Sequence, residues 1–263
     1  MNAGQPPFDR PSDSLPPEGP PLVISVQLPA VRPVATYALA AVCIVAFLLQ
    51  LAGQFLAGGD LLALLGAKIN TQILRGELWR LITPVFLHAS LTHIAFNMYG
   101  LIRFGPPLER YYGHGRFLVL FLLSGFSGNV ASFILTPVPS LGSSTAIFGL
   151  LGAEMVFLYQ NRKLFGKQVQ ADLLNLFILA GYNLLTGFVA ASLIDNWGHV
   201  GGLIGGTLFA WFGGPQLVLK GLPPLLKIED ERDWQQVLLA AWGGFFLSGL
   251  LTGVTIVWRL WGK

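Results

Sequence analysis

The sequence predicts an all-α membrane protein, and three observations carry that expectation: its hydrophobicity, the length of its apolar blocks and the sidedness of its basic residues. Of 263 residues, 53% are hydrophobic and 11% charged, and the mean hydropathy is +0.62, far from the averages of soluble domains. The apolar residues fall into blocks at 34–56, 80–102, 116–136, 144–159, 172–193, 198–213 and 236–258. A helix rising 1.5 Å per residue needs roughly 20 residues to cross a hydrocarbon core of about 30 Å, and each block is of that order. Lys and Arg in short loops stay on the cytoplasmic side. Lys68, Arg75, Arg80, Arg259 and Lys263 fall on one side of the alternating blocks and the rest of the basic residues on the other. The expected topology has seven spans, the N-terminus inside, the C-terminus outside, and loops 57–79, 137–143 and 194–197 on the outer face.

Ahead of the first block, residues 1–33 are rich in Pro and Gly and lack the basic region and cleavage site of a signal peptide, so a disordered cytoplasmic tail is expected. Cys43 stands alone and forms no internal disulfide. The net charge of +3 reads as loop charge that sets topology, and no nucleic-acid partner is expected.

Polar groups are costly in hydrocarbon, so His, Asn and Ser within spans are functional candidates as well as helix glue. The second, fourth and sixth blocks all enter from the outer face, and they deliver His88, His93 and Asn97, then Ser144, then His199 to similar depth. His93 and Asn97 are spaced i, i+4 and share a helix face. A metal site on His88 and His93 is disfavoured, because five residues swing the rings about 140° apart on one helix and no further ligand joins them. Gly142 lets the loop backbone approach closely, and Ser144 follows in the first turn, where free N–H groups favour a developing anion. A helix-capping or packing role is the plain alternative for that serine. Gly198, Gly202 and Gly206 form a small stripe on the sixth block, and Gly149 and Ala153, with Gly152 nearby, form a second on the fourth; close approach of the two blocks would bring His199 beside Ser144. His114 lies in a cytoplasmic loop, where solvation explains it.

From about Trp79 to Gly206 these residues resemble the rhomboid family. The resemblance rests on Trp79-Arg80, on His88, His93, Asn97 and Met98, on Gly142, Ser144, Phe148 and Gly149, and on Gly198, His199, Gly201 and Gly202. It implies a rhomboid-type six-helix transmembrane bundle over 34–213, a cytoplasmic loop over 214–234 and one additional C-terminal transmembrane helix over 235–263. It further implies an intramembrane serine endopeptidase with Ser144 as nucleophile and His199 as general base, acting through an acyl-enzyme without the carboxylate of a triad. His93, Asn97 and the Ser144 backbone N–H resemble the oxyanion stabilisers, Phe148 an aromatic that orients the histidine, and Trp79, Arg80, Gly142 and Gly202 supporting residues. Ser143 adjoins Ser144, and only the motif register selects between them. Thr145 stands where the family commonly has Gly, and is expected to narrow the cleft. The segment from Gly105 to Gly113 resembles a family turn in which Glu109 is structural.

The implied partners are transmembrane protein substrates and the lipid bilayer, with no cofactor and no metal; a bacterial inner membrane suits the layout. Two other readings stand beside this one. A noncatalytic relative that escorts membrane clients would generally lack the nucleophile or base. A transporter would be expected to carry acidic intramembrane residues, of which Glu154 is the one present.

Overall fold

A computed structural model describes residues 30–189, 194–222 and 225–262. Most of the tail expected over 1–33, and the end of the fifth apolar block, lie outside the described residues. The chain is mostly helical. Helix α1 (Val34–Ala57) leads through two short helices, α2 (Leu61–Gly66) and α3 (Asn70–Leu74), to α4 (Leu91–Leu135). Then come α5 (Ser144–Gln160), the single turn α6 (Arg162–Phe165), α7 (Gln168–Val189), α8 (Asn196–Gly213) and α9 (Trp234–Trp261). Gly113, at φ 73° and ψ 163°, breaks α4 into two arms; only glycine adopts such a backbone readily. By length and composition α1, α4, α7 and α9 are apolar enough to cross a membrane, and α5 is a shorter apolar helix.

Two expectations about local structure need correction. The second block does not start a helix near residue 80: the chain makes short 3₁₀ turns over Leu78–Leu81 and Thr83–Phe86, and α4 begins only at Leu91. Pro84 disfavours helical geometry at the residue before it, and Ser90 caps α4 by accepting from the His93 N–H at 3.1 Å. Irregular backbone also serves Arg80, which is buried and donates to the Ala67 and Leu64 carbonyls, each at 2.9 Å, and to Glu77 at 2.7 Å. The fold is also not purely helical, since β1 (Leu217–Lys220) and β2 (Lys227–Asp230) pair antiparallel within the 214–234 loop. Asp230 pins this ribbon to the base of the bundle, accepting from Arg116 on α4 at 2.5 Å and from the Gln216 and Arg232 N–H groups at 2.9 Å.

The centre of the molecule is α4, α5 and α8, packed through glycine. A Cβ on Gly202 would overlap the Thr145 carbonyl, one on Gly206 would overlap the Gly149 backbone, and one on Gly128 would lie 2.6 Å from the Gly198 carbonyl. Helix association in lipid rests on such close packing because the tails are as apolar as Leu. Helix α9 packs against α4 and α8. The Ser127 and Ser248 hydroxyls meet at 3.0 Å, and Arg259 donates to the Ile134 carbonyl at 3.0 Å while lying over the Phe133 ring.

At the other end of the bundle, α1 begins after Pro33, which offers no side-chain cap. Its free N–H groups find their acceptor in Glu109, fully buried beside the α4 break: Ala35 N and Thr36 N donate at 2.7 Å and the Thr36 hydroxyl at 2.6 Å. The His114 ring, expected merely to be solvated, lies 2.5 Å from the same carboxyl. Burial pushes the Glu109 pKa up, but the hydrogen bonds from Thr36, Ala35 and His114 outweigh it and hold the group below its ordinary 4.5. A depressed carboxylate contributes stability that is present above its unfolded pKa and lost as pH falls through the folded one. Glu109→Ala, which leaves several buried donors unpaired, is expected to cost roughly 3 kcal/mol or more. Thermal unfolding in detergent checks this: Glu109→Gln should fall between Glu109→Ala and wild type, and should lose the stability difference from wild type as the pH falls from the ordinary 4.5 through the lowered pKa of Glu109.

Candidate active site

The site is built where the loop before α5 meets the starts of α4 and α8. Loop 137–143 is fixed on one side by Lys68, whose backbone pairs with that of Ser140 at 2.9 and 3.1 Å. The Lys68 ammonium, wholly buried, donates to the Val138 carbonyl at 2.7 Å and to that of Thr136 at 3.1 Å. Burial pulls its pKa down to about 8, against an upward push from the Asp195 charge. On the other side the Gly142 N–H donates to the Pro84 carbonyl at 2.9 Å, with Gly142 at φ 126°, where a side chain would strain the backbone. This turn delivers Ser143 as the N-cap of α5 and Ser144 as its first residue.

The adjacent serines then part. Ser143 is fully buried, its hydroxyl 3.4 Å from His88 Nε2. Ser144 Oγ instead lies 2.9 Å from His199 Nε2. The His199 ring stacks on Phe148 one turn along α5, with centroids 4.3 Å apart and planes 11° from parallel. Nδ1 of His199 has no hydrogen-bond partner among the described residues, so none of their carboxylates is bonded to the ring. Ser144, Phe148 and His199 thus lie against one another where α5 meets α8.

His93 and Asn97, on the first turns of α4, face the same turn. A Cβ on Gly142 would lie 2.6 Å from His93 Nε2 and 3.5 Å from Asn97 Nδ2, so glycine is what lets these polar heads reach the backbone beside Ser144. Asn97 is 5% exposed and its Nδ2 has no partner among the described residues, which leaves a buried donor free at the site. His88 is not on the helix of His93; it precedes the Ser90 cap, and the rings meet edge to face at 5.4 Å. Gln50 of α1 brackets the His88 backbone, accepting from its N–H at 3.0 Å and donating to its carbonyl at 3.1 Å.

The remaining expected residues frame the site without touching the serine and histidine. Trp79 Nε1 donates to the Leu65 carbonyl at 3.0 Å, which with Arg80 folds loop 57–79 onto itself. Gly202 provides the close approach of α8 to α5. Thr145 does not narrow a cleft: it is 4% exposed and packs toward Gly128 and Gly198 between α4 and α8, in the space that the glycines leave. Glu154 stands apart, 3.9 Å from Arg103. Lys68 and Asp195 were not distinguished by sequence, where Lys68 reads only as an outer-face charge; a buried lysine is visible only once the loop is folded.

An integral membrane protein with several apolar helices and a serine–histidine pair at the glycine-packed start of two of them is the class defined here. Residues 75–216 match the profile described as Rhomboid domain, and the chain belongs to the rhomboid family. It is 43% identical over 219 residues to "Rhomboid protease GluP" of Bacillus subtilis (strain 168), covering 83% of this chain and 41% of that protein. It is 39% identical over 157 residues to "RHOMBOID-like protein 9, chloroplastic" of Arabidopsis thaliana, 59% of this chain and 36% of that one. With "Putative rhomboid protease YdcA" of Bacillus subtilis (strain 168) it shares 35% over 144 residues, 54% of this chain and 70% of the relative. The chain thus spans less than half the length of the first two.

A larger side chain at Gly202 is expected to push α8 off α5. Overpacking of this kind costs about 1–3 kcal/mol or more. Gly202→Val should therefore lower the thermal midpoint in detergent and slow the labelling of Ser144 by a fluorophosphonate, whereas Gly243→Ala, where a Cβ meets nothing within 4 Å, should change neither.

Proposed function

We propose that this protein is an intramembrane serine endopeptidase that cleaves transmembrane segments of other membrane proteins near the outer face. The observation that carries the proposal is the 2.9 Å approach of Ser144 Oγ to His199 Nε2, with Phe148 stacked on the ring. His199 takes the hydroxyl proton as Oγ attacks the scissile carbonyl, and a tetrahedral oxyanion forms. The histidine returns the proton to the leaving amine, an acyl-enzyme remains on Ser144, and water activated by the same imidazole releases the second product. The stacked Phe148 supplies the orientation that a triad carboxylate gives elsewhere. Asn97 Nδ2, His93 Nε2 and the Ser144 backbone N–H are assigned to the oxyanion. The Asn97 donor has no competing partner among the described residues, so no internal hydrogen bond need be broken for it to meet a developing charge.

The proposed layout has six spans in the catalytic core, with α4 contributing two, and α9 as a seventh. The N-terminus is placed in the cytoplasm, the C-terminus outside, and the protein in a bacterial inner membrane. No cofactor or metal has a part in this chemistry. A substrate helix must unwind locally, because intact helical hydrogen bonds shield the peptide bond, so segments with small or helix-breaking residues near the outer face are the class favoured. The client-escort and transporter alternatives leave the Ser144–His199 alignment and its aromatic support without a task.

Cleavage of a model single-pass substrate in proteoliposomes, with products located by mass spectrometry, tests the reading. Ser144→Ala and His199→Ala should abolish cutting, while Ser143→Ala should retain it. Cutting by Ser144→Ala at the wild-type rate would overturn the mechanism, and no cutting by wild type on a panel of substrates would favour client binding. In the same assay Asn97→Ala is expected to lower kcat by about 10²–10³-fold with little change in KM, as for other oxyanion donors.

A further inference from the structure

The start of α8 is held by a single carboxylate. Asp195, half-buried at the N-cap, accepts from the Gly198 N–H at 3.0 Å through Oδ1, while its backbone carbonyl accepts from the His199 N–H at 3.1 Å. Its other oxygen, Oδ2, accepts from the Ser132 hydroxyl on α4. Ser132 Oγ in turn lies 3.4 Å from Ser140 Oγ, on the loop whose backbone pairs with Lys68 and whose next turn delivers Ser144. One side chain therefore joins the three segments that set the position of the histidine relative to the serine. It does so one turn before His199, whose own Nδ1 has no partner among the described residues. An ordinary N-cap would need only the Gly198 bond; the bond to Ser132 ties the helix start laterally to α4, which capping does not require.

We propose that Asp195 is the positioning residue of the serine–histidine pair, fixing His199 against Ser144 through the start of α8 and the Ser132–Ser140 link. The proposal rests on the proteolytic reading above. It separates two tasks that a triad carboxylate combines: Phe148 sets the ring plane and Asp195 sets the position of the helix that carries the ring. A charge is not needed for the second task. In Asp195→Asn, Oδ1 still accepts from Gly198, Nδ2 donates to Ser132 Oγ, and the serine turns its proton toward Ser140. In Asp195→Ala the cap and the lateral tie are both lost.

The experiment measures kcat, KM and thermal midpoint in proteoliposomes for wild type, Asp195→Ala, Asp195→Asn and Ser132→Ala. A displacement of about 1 Å at a reacting pair costs about 100-fold in rate, so Asp195→Ala is expected to lose on that order in kcat with KM nearly unchanged. Asp195→Asn should recover most of the lost kcat, and Ser132→Ala, which keeps the cap but cuts the tie, should fall between. Should Asp195→Ala fail to fold, the Asn and Ser132 variants decide. Wild-type kcat in Ser132→Ala, or Asp195→Asn as slow as a variant without the nucleophile, would overturn the positioning role while leaving proteolysis intact. A wild type that cuts no substrate would overturn the proteolytic reading and this proposal with it.

Discussion

The approach of α5 to α8, backbone against backbone, is the constraint on which the site depends. At Gly149, Gly202 and Gly206 a single added carbon would collide with the facing helix. In water such a contact is reinforced by expelled solvent; in lipid it holds because nothing else can fill the gap as closely. The consequence is geometric. With the two helices locked at this separation, side chains from their first turns meet, and Ser144 and His199 do so at hydrogen-bond distance. Phe148, one turn further along α5, lies flat against the imidazole.

A second layer of order comes from buried polar groups that hold irregular backbone. Arg80 gathers carbonyls from loop 57–79, Lys68 does the same for loop 137–143, and Gln50 secures the backbone at His88. Non-helical segments at the edge of a bilayer carry carbonyls and N–H groups that water reaches poorly, so each requires an internal partner. The charged residues Arg80 and Lys68 thus serve the loops, while Asn97 Nδ2, without a partner among the described residues, stands beside the turn that delivers Ser144.

What the sequence made legible were the features with a periodic or motif basis. The glycine stripes on α5 and α8 stand at helical spacing, and Gly142, Ser144, His199, His93 and Asn97 sit at motif positions, so their convergence could be expected before any coordinates. The late start of α4 could not, because residues 81–87 are mostly apolar and run on into the span, and the decision there lies with Pro84, Ser90 and the tertiary demand of Arg80 for carbonyls. The burial of Thr145 is hidden for a similar reason: its neighbours are glycines on two other helices, which no local pattern reveals. The divergence of Ser143 toward His88 and of Ser144 toward His199 is set by rotation about the first turn of α5. The hairpin at 217–230 is too short for alternation to mark it.

The cap that Glu109 places on α1 has a temporal consequence. A chain leaves the ribosome N-terminus first, so α1 enters the translocon with the N–H groups of Ala35 and Thr36 lacking a side-chain acceptor, about seventy residues before Glu109 has been made. Until the hairpin turn closes, that end of the helix must stay at the wet headgroup boundary, because its donors have nowhere else to turn. Vectorial synthesis and the position of one glutamate thereby set an order of assembly: the first span is delivered early, and becomes a fixed wall of the bundle only after the turn at the base of α4 arrives.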